Sequence, residues 1–197
     1  MEVIQHDVKR LDRLITDISD ASRLDAELAR QDASPVDVRA LLSAVVSLQN
    51  DLAADREQRV TLTVTPPGAP SLAFVVMGHD SRLGQVFTNL VDNARSFSPD
   101  GGEVRVQLGF AGGNVEVVVD DDGPGIRAEK IERIFERFYT DRPEGESFGN
   151  NSGLGLAISR QIVEAHRGSI VAENRRRADG SVAGARFVVS LPGGEVG

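Results

Sequence analysis

Apolar residues at Ile4, Val8, Leu11, Ile15 and Ile18 alternate steps of four and three, the spacing of a coiled-coil seam, and predict one long helix over residues 4–28. Leu14, Ala21 and Leu28 flank that line, so the apolar stripe is too wide for a solitary helix and calls for partner helices. The pattern opens in mid-stripe, with no capping residue before Val3, as in a piece of a longer protein. Residues 31–35 end the helix, because the residue before Pro35 is pushed out of the helical region. A boundary near Asp32 divides the chain into residues 1–31, one helix, and residues 32–197, a second domain.

In the second domain Asp37 is placed to cap a helix carrying Leu41, Leu42, Val45, Val46, Leu48 and Leu52. Val60, Leu62 and Val64 alternate as a strand, and residues 72–77 read as another. Asp80 reads as the cap of a helix that puts Leu83, Val86, Phe87, Leu90, Val91 and Ala94 on one face. Val104, Val106, Leu108 and Phe110, then Val115, Val117 and Val119, predict a hairpin turning through Ala111, Gly112 and Gly113. A short helix with Ile131, Ile134, Phe135 and Phe138 precedes residues 140–152, which are poor in apolar side chains and read as a mobile loop. Gly153 to Gly155 opens a helix with Ile158, Ile162 and Val163, and two strands through Ile170 and Phe187 close the chain. The expected fold is an α/β two-layer sandwich, a mixed sheet with helices on one face, preceded by one long helix.

Composition narrows the function. A formal charge of −8 argues against binding nucleic acid or anionic lipid, both of which need a basic surface. No apolar run approaches the roughly 18 residues of a membrane-spanning helix, no signal peptide opens the chain, and there is no cysteine. These features fit a cytoplasmic location. The cluster Arg175, Arg176, Arg177, before Asp179 and Gly180, reads as a solvated hairpin tip.

Four segments carry candidate chemistry. Gln85, Asn89 and Asn93 are four apart and share one polar helix face. An asparagine oxygen there can complete the shell of a magnesium ion held mainly by phosphates without adding negative charge. Asp121, at the end of an apolar strand and followed by Gly123 and Gly125, can accept a hydrogen bond from the amino group of adenine. Gly153, Leu154 and Gly155 open a helix whose free N–H groups suit phosphate. Arg137, between Phe135 and Phe138, is free to reach a phosphate while the two aromatics anchor the loop entry. Taken singly, each has a bland alternative: solvated asparagines, a turn, a helix start, core packing.

Their order is more specific. The strings QVFTNLVDNA, DDDGPGI, FERFYT and SGLGLAI resemble the N, G1, F and G2 boxes of bacterial sensor histidine kinases, in the superfamily shared with gyrase and MutL, over about residues 36–192. The opening HDVKRLDRLITDISDASRLDAEL resembles the second helix of that family's dimerisation and phosphoacceptor (DHp) hairpin and is similar to the envelope-sensing ChvG-type kinases of alphaproteobacteria. The resemblance implies a Bergerat-type ATP-binding catalytic domain with ATP and Mg2+ as cofactors. It implies Asn89 and Asn93 on magnesium and phosphates, Asp121 on adenine, and Gly123, Gly125 and Ile126 in the G1 turn. Arg137 would meet the γ-phosphate and, with Asn89, form the catalytic pair. Phe138 and Tyr139 would border the base or lid, and Ser152, Gly153, Leu154, Gly155 and Leu156 would form the lid's return. Where the family often has lysine three residues after the second asparagine this chain has Ser96, and Arg95 is the substitute, from a different direction.

Hydrolytic relatives place a glutamate four residues before the magnesium asparagine to activate water; here that residue is Asn89, so the resemblance favours transfer to a histidine. His6 is followed by Asp7 but lacks the proline of the phosphoacceptor string, and reads as a surface residue of the second DHp helix. The acceptor histidine is therefore expected upstream of Met1, in a homodimeric, membrane-anchored parent that passes phosphate to a response regulator, and this piece is not expected to phosphorylate itself. The rival readings are a nucleotide-binding interaction module without transfer and a gyrase-type ATPase, the latter disfavoured by Asn89. His79 and His166 read as structural, the second against carbonyls at its helix end.

Overall fold

The computed structural model describes residues 33–52, 58–66, 69, 71–139 and 153–193. The expected helix of residues 1–31, with His6, and the expected lid at 140–152, with Ser152, lie outside the described residues. Chain order is β1 (Ser34–Asp37), α1 (Val38–Leu52), β2 (Arg59–Val64), β3 (Val75–Gly78), α2 (Asp80–Phe97), β4 (Glu103–Ala111), β5 (Asn114–Asp120), α3 (Gly155–Ala165), β6 (Ser169–Arg176) and β7 (Val182–Pro192). Five strands form one mixed sheet in the order β2-β4-β5-β7-β6, parallel only between β2 and β4. β1 and β3 form a separate antiparallel ribbon, tied on by a bridge from Val76 to Gly193.

Period-two alternation sends Val104, Val106 and Leu108 of β4, Val115, Val117 and Val119 of β5, and Phe187, Val189 and Leu191 of β7 to one face, where the helices cover them. The predicted face of α2 is the centre of that core: Leu83, Val86, Phe87, Leu90, Val91 and Ala94 are all fully buried. Each large side chain among them contributes about 1.5 to 3 kcal/mol by leaving water. On the other face the register aligns Arg105, Asp120, Arg186 and Glu173 across four strands, a row of alternating charge. Among the described residues no helix is long and apolar enough to cross a membrane.

Several local expectations hold. Asp37 Oδ1 accepts the Ala40 N–H at 3.0 Å, capping α1. Gly112 and Gly113, both at positive φ (59° and 87°), make the two-residue turn between paired Ala111 and Asn114.

Others are corrected. Leu48 is 54% exposed, because its place in the stripe goes to buried Gln49, whose Nε2 donates to Asp92 (2.8 Å) while its Oε1 accepts from Arg95 (2.6 Å). The single strand expected over 72–77 is a 3-10 turn, Ser71–Phe74, followed by β3. His79, in extended conformation, is the residue before α2, and Asp80 is its first helical residue, accepting from the Ser81 N–H. The short helix after the G1 segment is two 3-10 turns, Ala128–Lys130 and Arg133–Phe135. Strand Ser34–Asp37, which was not anticipated, forms around Pro35 at the edge of the two-stranded ribbon.

Candidate functional site

Helix α2 is the common wall of the site. Its C-terminal end lies against the loop after β5: a side chain at Gly123 would meet the Phe97 carbonyl oxygen at 2.8 Å, and the Asp122 N–H points to Ser98 Oγ at 3.4 Å. Two turns earlier, Asn89 meets the head of α3, its Nδ2 donating to the Gly155 carbonyl (3.2 Å) and to Ser159 Oγ (3.4 Å). With both donors directed at α3, the Asn89 amide turns its Oδ1 away from that contact. The Asn93 side chain, one turn on, makes no hydrogen bond among the described residues.

Asp121 is 2% exposed, and both of its backbone donors, Gly123 N–H and Ala185 N–H at 2.9 Å each, go to Oδ1. No donor among the described residues reaches Oδ2. Burial pushes the carboxyl upward, against those two N–H groups and the nearby Arg175 charge, which favour the anion. Its neighbours differ in kind. Arg186 holds Asp120 through two nitrogens at 2.7 and 2.9 Å. Asp122 is paired with Arg105 and Arg175, and hydrogen bonding to Arg105 lowers it to about 2. Of three successive aspartates, only the middle one has no guanidinium at pairing distance from its carboxylate among the described residues.

The glycines of this loop are required by space. Gly125 (φ 77°) would otherwise drive a side chain into Val182 and into Asn174 Oδ1 at 2.6 Å. The next residue, Ile126, is held by Asn174, which accepts from its N–H (2.7 Å) and donates to its carbonyl (2.6 Å).

At the far end, the Phe138 N–H donates to the Gly153 carbonyl at 2.9 Å, which ties together the two sides of 140–152. Phe138 and Gly153 both have positive φ, 63° and 72°, and a side chain at 153 would strike the Phe138 and Tyr139 backbone. The expected aromatic anchors therefore divide: Phe135 is buried against Phe187, whereas Phe138 is 58% exposed and anchors through its backbone. The Tyr139 ring lies beneath Arg133, 5.0 Å away, and its buried hydroxyl has no hydrogen-bond partner among the described residues. Arg137 is exposed and reaches Gln161 of α3 at 3.5 Å.

The structure thus sets Gly155 against Asn89 in the middle of α2 and the loop of Asp121 and Gly123 against its C-terminal end, while Gly125 and Ile126 lie on Asn174 and Gly153 lies on Phe138 and Tyr139. The side chains of Leu154 and Leu156 do not join, since Leu154 is 1% exposed in the core and Leu156 packs against it. Arg95 does not join: its guanidinium lies on Gln49 of α1, away from the Asn89–Asn93 face. Arg175 is not a solvated tip residue, because it donates to the Asp121 carbonyl at 2.6 Å; Arg176 and Arg177 do stay at the tip. Sequence reasoning misplaced Arg175 and passed over Asn174 and Gly184. The bulge between Arg175 and Arg176 that aims the first two is a long-range feature, and the one local signal was a glycine inside a strand.

Residues 78–195 match the model of the family described as histidine kinase-, DNA gyrase B- and HSP90-like ATPase. The chain is similar to sensor protein ChvG of Rhizobium meliloti, 56% identical over 98% of this chain but only 34% of that protein. It thus spans about a third of the length of the curated relatives it matches first. Among solved structures it resembles the mycobacterial sensor histidine kinase MprB (TM-score 0.66, 32% identity, 82% of this chain and 97% of that one). It also resembles full-length ShkA, solved in complex with AMPPNP (TM-score 0.77, 26% identity, 97% of this chain and 37% of that one). By fold, by the order of its glycine and asparagine segments, and by these likenesses, the chain belongs to the histidine kinase-, DNA gyrase B- and HSP90-like ATPase family.

Proposed function

We propose that the site binds Mg2+-ATP and transfers its γ-phosphate to a histidine on a helical dimerisation hairpin, from which a response-regulator aspartate receives it. The observation that carries this reading is the Asp121 carboxylate, buried, fixed through Oδ1 by two backbone donors, and presenting Oδ2 as an acceptor. The 6-amino group of adenine is the matching donor. Guanine would set a carbonyl against that oxygen, a mismatch of about 1 to 3 kcal/mol.

The triphosphate then runs along α2 toward the head of α3, where the first N–H groups of α3 and its dipole favour anions. Asn89 and Asn93 fit a hard cation, because the one presents a carbonyl oxygen with its NH2 held elsewhere and the other an uncommitted amide. A bound magnesium ion would supply charge neutralisation at the phosphates. Tyr139 lies beside Gly153 at that end, and Arg137 and Ser152 are assigned to it through the resemblance alone.

The transfer makes a bond from the attacking histidine nitrogen to the γ-phosphorus and breaks the bond to the β-γ bridging oxygen, whose electron pair leaves with ADP. The site's own contribution is positioning and electrostatics. Neither asparagine can take a proton from water, so the arrangement supports transfer over hydrolysis. Residues 1–31 are read as the second helix of the hairpin and 32–197 as the catalytic domain. The parent is read as a homodimer whose membrane anchor lies in other segments and whose catalytic end is cytoplasmic.

The test is to incubate the chain with γ-labelled ATP, Mg2+ and the separately purified dimerisation hairpin of Rhizobium meliloti ChvG. Acid-labile, base-stable label on the hairpin histidine is expected. Steady phosphate release with no label on the hairpin would make the chain an ATPase instead, and nucleotide binding with neither would make it an interaction module.

A further inference from the structure

We infer that Asn174 and Arg175 are positioning residues for the purine end of the site, two successive residues of β6 that hold opposite ends of the 121–126 loop. Successive strand residues send their side chains to opposite faces, so one dipeptide can reach a loop on both sides. Asn174 brackets the Ile126 peptide with one accepted and one donated hydrogen bond, 2.7 and 2.6 Å. Arg175 donates to the Asp121 carbonyl at 2.6 Å and to the Asp122 carboxylate at 3.2 Å.

The surrounding backbone is shaped for this contact. β6 bulges between Arg175 and Arg176. The residue paired with Arg175 is Gly184, at φ 146°, where any side chain would collide with the Asp121 carbonyl oxygen. Ala185, next along, supplies one of the two N–H groups that fix Asp121 Oδ1. The Asp121 residue is therefore held by β7 at Oδ1 and by Arg175 Nη1 at its main-chain carbonyl, and the direction of Oδ2 follows from those two contacts. The inference rests on the reading that Asp121 faces a purine amino group.

The experiment measures dissociation constants of ADP and inosine diphosphate, which carries a carbonyl where ADP carries the amino group. The wild-type chain is expected to prefer ADP by about 5- to 150-fold, the range of one mispaired buried acceptor. In Arg175→Met and in Asn174→Leu that preference is expected to shrink at least about fivefold, because a displaced Oδ2 no longer distinguishes the two bases. A purely structural role would weaken both nucleotides by one factor and keep their ratio. Arg175→Lys, which retains the charge but not the planar guanidinium that spans Asp120 to Asp122, serves if the Met variant does not fold, and its preference is expected to shrink too. Adding Arg175→Met to Asp121→Asn should leave the ratio where Asp121→Asn put it. A ratio within about twofold of wild type in the folded variants overturns the inference, whereas a wild-type chain that does not favour ADP at all removes the purine reading itself.

Discussion

The Nδ2 of Asn89 on α2 donates to the carbonyl oxygen of Gly155, 3.2 Å away at the head of α3. That bond decides which way the amide is turned, and so which atom is left for a ligand. Asn89→Asp keeps the shape but removes the donor and places a carboxylate against a carbonyl and near the phosphates. Transfer to an added hairpin is expected to fall at least about a hundredfold, the scale of losing one electrostatic element at a reacting phosphate. ADP binding without magnesium should change far less. Wild-type transfer rates in the variant would take Asn89 out of the metal and phosphate role.

Asp121→Asn separates function from stability. The Asn oxygen can accept from Gly123 and Ala185 as Oδ1 does, while its NH2 replaces Oδ2 and opposes the adenine amino group. ATP affinity should drop about ten- to a hundredfold by titration calorimetry. The fold should not suffer. Burial raises the carboxyl above its ordinary 3.8, so at neutral pH its charge works against folding; relief of that cost grows as pH falls through the raised value and is complete below 3.8. A thermal midpoint equal to or above wild type at pH 7 is therefore expected, together with unchanged cooperativity.

A pH dependence of opposite sense resides in His166. Its Nδ1 donates to the Ile162 carbonyl at 2.7 Å and its Nε2 accepts the His79 N–H at 3.1 Å, so the bridge between the end of α3 and the start of α2 needs the neutral ring. Burial holds His166 below the usual 6.5. Stability from the neutral ring is full above pH 6.5 and is lost as pH falls into the window beneath it, where the unfolded chain binds a proton that the folded one refuses. The slope cannot exceed about 1.4 kcal/mol per pH unit for one group. Urea midpoints at pH 7.5 and 5.5 should differ less in His166→Leu than in wild type, and equal differences would refute the assignment. Asp122 acts lower down: it stabilises above 3.8, and that part is lost as pH falls toward about 2.

Gln58 closes the end of α2 from outside the helix. Its Nε2 donates to the carbonyls of Arg95 and Ser98 at 3.0 Å each and of Pro99 at 3.2 Å, with the residue 5% exposed. Gln58→Leu would leave buried carbonyls without a donor, a loss of about 1 to 3 kcal/mol by denaturant titration. Because α2 carries Asn89 and Asn93, ADP affinity should weaken with it; a change below about 0.5 kcal/mol, typical of a surface substitution, would show the cap to be idle.

What could be read from the chain alone was whatever is local. The apolar face of α2 follows from a period of 3.6, the Gly112–Gly113 turn from two residues that tolerate positive φ, and the His166 contact from its place at a helix end. Misreadings arose where a distant partner decides. Arg175 looked like a solvated charge until strand pairing set it against Asp121, and Leu48 lost its core place to Gln49 because Asp92 and Arg95 on another helix satisfy the amide. Phe138 has the composition of an anchor, yet a positive φ turns its side chain outward and leaves its N–H to hold Gly153.

β2 and β4 are hydrogen-bonded neighbours in parallel, and α2 lies in the connection between them. The asparagine helix is thus spliced into the same ladder that delivers Asp121 through β5. On the proposed reading the base and the metal-bound phosphates are gauged by one hydrogen-bonded frame, which acts as a ruler: a ligand whose base and phosphates stand at a different separation meets Asp121 or the Asn89–Asn93 face, but not both. Selectivity for ligand length, as distinct from base identity, then belongs to the topology of the sheet.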